Sequence, residues 1–70
     1  MTKTTAYHRN KAREAKEALC WAAAAYHYER AIELYPNHDS ELAKLDIANL
    51  TDYMLTCRYM LDFQRTLINY

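Results

Sequence analysis

Apolar residues in this chain return every three or four positions, in two stretches separated by Pro36. Before the proline, Ala18, Trp21, Ala25, Tyr28, Ile32 and Tyr35 form one seam, and Ala15, Leu19, Ala22 and Tyr26 flank it. Carried further back, the spacing meets Glu14 and Lys11, so the seam ends near Ala18. After the proline, Ala43, Ile47, Leu50, Met54, Cys57, Leu61 and Ile68 form a second seam that only Gln64 interrupts; Tyr53, Met60 and Leu67 widen it. This is the period of amphipathic α-helices, with about three apolar positions in seven, the width of a globular bundle and not of a narrow zipper.

Pro36 cannot continue a helix and pushes Tyr35 out of the α region. Residues 36–39 read as the connection, and Asp39 or Ser40 can cap a new helix with Glu41 in its first turn. The pattern predicts helix 1 over residues 5–35, a turn over 36–39 and helix 2 over 40–69. Asn10 offers a later start for helix 1, and Thr51-Asp52 is the one place where helix 2 could break. Each helix would be roughly 45 Å long, and so short a link makes them antiparallel neighbours. The fold class expected is all-α: a two-helix antiparallel hairpin.

Seventy residues make one domain, and a core this small supplies only about 3–5 kcal/mol of net stability. Two faces of this width leave apolar area uncovered when paired only with each other, so the hairpin is expected to form a homodimer, a four-helix bundle. Ala22 to Ala25 would let a neighbouring helix approach closely. The chain has no glycine, which disfavours hairpin turns of the primed types and phosphate-cradling loops. Its two cysteines and polar N-terminus suggest a reducing, cytoplasmic setting, and no apolar run approaches the roughly 20 residues of a membrane span.

The segment from Ala25 to Asn37, with Tyr28, Ala31 and Pro36 in the arrangement Y-x-x-A-x-x-x-x-P, resembles the second helix and turn of a tetratricopeptide repeat. The resemblance covers 13 of the 70 residues. Asp46 stands where the repeat has a small residue, and Tyr53 where it has a turn glycine. No second repeat follows, so peptide binding is not carried over.

Charge changes the picture next. Residues 1–16 carry five basic residues against Glu14 alone, a net +4, and residues 17–70 carry a net −4. Arg9, Arg13 and Lys16 share one helical face and can follow a phosphate backbone, with Tyr7 ahead to stack on a base. In architecture alone, a hairpin dimer with such a face resembles the plasmid copy-control proteins that grip paired RNA loops. The bland alternative is a solvated, frayed helix end, and the acidic body opposes polyanion binding.

Other candidate chemistry is thin. His27 has Ala23, Ala24, Arg30 and Ala31 at the offsets a helical metal site needs, and only His38, Asp39 and Glu41 offer weak ligands in the turn. Cys20 and Cys57 fall at one height in the hairpin but on unmatched faces, which favours buried free thiols over a bridge. No metal, cofactor or enzymatic activity is expected. Tyrosine is abundant, seven of 70 residues, more than one seam can absorb. Tyr59, with Phe63 four residues on and Tyr70 beyond, lies away from the helix 2 seam, where exposed aromatics serve as interface anchors.

These features point to a small non-enzymatic protein–protein interaction module, a regulator or inhibitor of a larger protein, in the style of phage and mobile-element products. Its partner-binding residues would be Tyr59, Phe63 and Tyr70, steered by Arg9, Arg13 and Lys16. Its dimer or core seam would be Trp21, Tyr28, Ile32, Ile47, Leu50, Met54, Leu61 and Ile68. The alternative is a nucleic-acid-binding hairpin dimer using the basic N-terminal arm on RNA or DNA.

Overall fold

A computed structural model describes residues 4–68, which are all-helical with no strand. Three helices are present: α1 (Thr5–Glu17), α2 (Trp21–Glu33) and α3 (Glu41–Ile68). The second half of the chain follows the sequence pattern. Asn37 Oδ1 accepts the Asp39 amide at 2.8 Å, Ser40 Oγ accepts the Ala43 amide at 3.1 Å, and Glu41 favours the first turn of α3. Helix α3 then runs 28 residues without interruption, through Thr51-Asp52.

The first half differs. The single helix read over residues 5–35 is two antiparallel helices of 13 residues each, so the described chain is not a two-helix hairpin. The reversal occurs at Ala18, Leu19 and Cys20. The Leu19 amide donates to Lys16 O at 3.0 Å and the Cys20 amide to Ala15 O at 2.8 Å, the paired bonds of a Schellman helix end. That ending needs a left-handed residue, and Leu19 takes it at φ 60°. With neither Gly nor Pro here, the bend leaves no mark in the composition. Thr4 opens α1, its Oγ1 accepting the Tyr7 amide at 3.1 Å.

Small side chains explain why α1 folds back. Ala12, Ala24 and Ala31 are fully buried, so the helices approach closely, and a continuous helix would expose all three. Two polar contacts lock the approach: Thr5 Oγ1 donates to Ala31 O at 3.0 Å, and His8 Nδ1 meets His27 Nδ1 at 2.9 Å, one donating and the other accepting. The alanine run therefore receives a helix of its own chain.

Helices α1 and α3 each pack on α2 and barely on each other. The core they share is small: the buried alanines with Tyr28, Leu50 and Cys57, and Trp21, Ile32 and Met54 packed partly buried against them. At 1.5 Å per residue α3 is about 42 Å long and α2 about 20 Å. The last buried residue of α3 is Cys57, and residues 62–68 are all exposed.

Candidate functional site

Helices α1 and α3 stand on the same side of α2 and enclose a groove of about 320 Å³. Arg9, Arg13 and Lys16, at i, i+4 and i+7 of α1, form one wall. Asp46, Asn49, Leu50 and Tyr53 of α3 form the other, and Tyr28 of α2 lines it between them. The basic face thus lies on a capped helix and lines one wall of a groove, with Arg13 itself exposed.

Aromatic rings hold this groove in shape. The Lys16 ammonium lies 5.2 Å from the centroid of the Tyr53 ring, and Tyr53 meets Tyr28 at 5.6 Å between centroids. The Tyr35 hydroxyl donates to Asp46 Oδ2, and this hydrogen bond, more than burial, holds the Tyr35 proton on above the ordinary tyrosine range, while Arg9 opposes it. Burial pushes Tyr28 up as well, with Arg13 opposing, and it raises the Cys57 thiol with Lys16 opposing. Lys11, Arg30, Lys44 and Arg58 pair with Glu14, Glu33, Glu41 and Glu29. Among the described residues, no carboxylate pairs with Arg9, Arg13 or Lys16.

A second surface runs along α3. Eight of the ten exposed large apolar side chains among the described residues lie on this helix. Four of them, Leu55, Tyr59, Phe63 and Leu67, repeat at i+4 and make one stripe about 18 Å long. Tyr59 is 70 % exposed and Phe63 50 %. Tyr70, the third expected anchor, lies outside the described residues. Leu55 belongs to the stripe but carries no signal in the sequence, because a lone exposed leucine means little until its neighbours on the helix face are known; Leu67, expected to widen the seam of helix 2, is exposed and lies in the stripe instead. Of the seam residues, Tyr28 and Leu50 are buried, and Trp21, Ile32 and Met54 pack on the core. Ile47 and Leu61 are half-buried, and Ile68 is 76 % exposed.

Both thiols are free. Cys57 is buried; Cys20 is exposed in the turn between α1 and α2, which corrects the expectation that both are buried. Among the described residues no group of three or more His, Cys, Asp or Glu side chains could hold a metal ion, and no helix is long and apolar enough to cross a membrane. His27, which lacks a metal-ligating neighbour on its own helix, meets His8 of α1, a pairing that only the fold-back creates. No family model matches the chain, nor does any curated protein or solved structure.

Proposed function

We propose that this protein is a small non-enzymatic interaction module of the cytoplasm that regulates or inhibits a larger protein by docking α3 on it. The observation that carries the reading is the stripe of Leu55, Tyr59, Phe63 and Leu67, an apolar row outside the core on a helix that outruns its neighbours. The chain exposes 5204 Å², where a compact monomer of 8.3 kDa exposes about 4,600 Å². Apolar anchors at i+4 spacing on one helix suit a helix-in-groove or helix-on-helix contact. With Tyr59→Ala and Phe63→Ala combined, partner capture should be lost at unchanged helicity by circular dichroism. Capture equal to that of the unaltered protein refutes the reading.

Leu19 favours a second reading, the homodimer. A four-helix bundle of two-helix hairpins requires α1 and α2 to fuse through Ala18, Leu19 and Cys20. Those residues carry no glycine, and one of them sits in a left-handed conformation that a continuous helix would relieve. Two chains opened in this way would exchange their first helices, the domain swap that a short strained hinge invites. Light scattering behind size exclusion separates the two: a mass near twice 8.3 kDa supports the swap, and a monomer at all concentrations refutes it.

A further inference from the structure

The groove between α1 and α3 supports an inference that does not depend on the α3 stripe. We propose that it is a binding site for a compact multivalent oxyanion, the phosphoryl or diphosphoryl group of a small metabolite, held by Arg9, Arg13 and Lys16 with Asn49 opposite.

Three cations face one cavity that contains a single carboxylate, Asp46, and that carboxylate already accepts the Tyr35 hydroxyl. Like charges lined up on one wall repel one another, and a bound anion relieves that repulsion. The two arginines offer planar forks one helical turn apart, which suit phosphoryl oxygens better than a point charge does. Lys16 is held over the Tyr53 ring, so the wall is largely formed before a ligand arrives. Tyr28, only 4 % exposed, keeps one side of the cavity out of bulk water, where charge attraction is stronger.

Size and surroundings favour a compact ligand over a polymer. The three cations span about 10 Å along α1, and the cavity, about 320 Å³, lies at the small end of metabolite sites. Beyond residue 16 the chain carries a net −4, with Glu41 and Asp52 on the same helix as Asn49. A strand long enough to leave the groove would run onto these charges.

The test is an amide NMR titration of the full chain with inorganic phosphate and pyrophosphate at low ionic strength. Saturable shifts at one site are expected, centred on Asn49, Tyr53 and the Arg9–Lys16 wall, with pyrophosphate the tighter of the two. Arg13→Gln, and Lys16→Gln as a second variant, should each weaken binding about tenfold, the loss of one charge-assisted contact. Lys11→Gln removes a charge that pairs with Glu14 outside the groove and should leave binding within about twofold. Three results would overturn the proposal: shifts that do not saturate at millimolar anion, equal weakening by Lys11→Gln, or tighter binding of an oligothymidylate or an acidic peptide than of pyrophosphate.

Discussion

Leu19 gives the most decisive prediction, because the same position answers with opposite sign in the bent form and in the continuous helix that the proposed swap requires. A side chain other than glycine in the left-handed region costs about 1–2 kcal/mol. The Leu19 side chain is 62 % exposed, so part of its contact area would vanish with any truncation. Comparing Leu19→Gly with Leu19→Ala cancels most of that loss and isolates the backbone. In the bent form glycine relieves the left-handed strain but adds about 0.4–1 kcal/mol of unfolded-state freedom. Leu19→Gly should then be more stable than Leu19→Ala by about 1 kcal/mol, a rise in Tm of about 4–8 °C for a domain of this size. In a continuous helix the order reverses, since glycine there is about 1 kcal/mol worse than alanine. Thermal melts of the two variants, with light scattering in parallel, decide it. If Leu19→Gly melts below Leu19→Ala, the bend is not the native state and the reasoning fails. If the bend holds and the swap is real, Leu19→Gly should also lower the dimer fraction.

Further tests address the rest of the structure. A thiol reagent should label exposed Cys20 at once and Cys57 only as fast as the protein opens; equal rates would mean that Cys57 is not in the core. Tyr28, Tyr35 and Cys57 all hold their protons to higher pH in the folded chain than the ordinary 10.0 and 9.0. The unfolded chain therefore releases protons first, so stability is level below about pH 9 and falls as pH rises through 9 to 11. Denaturation midpoints against pH should show that slope, reduced by Tyr28→Phe, and a midpoint constant to pH 11 would contradict it. Thr4→Ala removes the cap of α1 and should lower stability by about 1 kcal/mol. Thr5→Val removes the bond to Ala31 O and should cost a similar amount. Urea denaturation measures both, and no change in either would mean that α1 does not dock on α2.

How far the sequence discloses the fold depends on which interactions decide each element. The turn at Pro36 and the start of α3 are local: a proline that cannot continue a helix, an Asx turn at Asn37 and a cap at Ser40. The reversal at Leu19 is not local. Ala18, Leu19 and Cys20 have no preference for leaving a helix, and what outweighs the left-handed strain is the burial of Ala12, Ala24 and Ala31 between two helices. Alanine serves helix propensity and close packing equally well, so its role is hidden until the partner helix is known.

The two candidate surfaces were legible to different degrees for a related reason. Arg9, Arg13 and Lys16 share a face by arithmetic alone, whichever way the chain folds. What they face is set by tertiary structure. In a long helix 1 they would lie beyond the apolar seam, a solvated end; folding α1 back brings them opposite Asn49 and Tyr53 and makes a wall into a groove. The fold-back has a second consequence. It packs α1 on α2, and α1 meets α3 only across the groove, where Lys16 lies over the Tyr53 ring. With α1 docked in its own chain, the outer stripe of α3 stays bare. That separates the two surfaces as experimental objects. Opening the hinge at Leu19 would destroy the groove, unless a partner's α1 rebuilt it, and would leave Tyr59 and Phe63 where they are. If both surfaces act as proposed, anion binding should track the stability of the bend while partner capture does not.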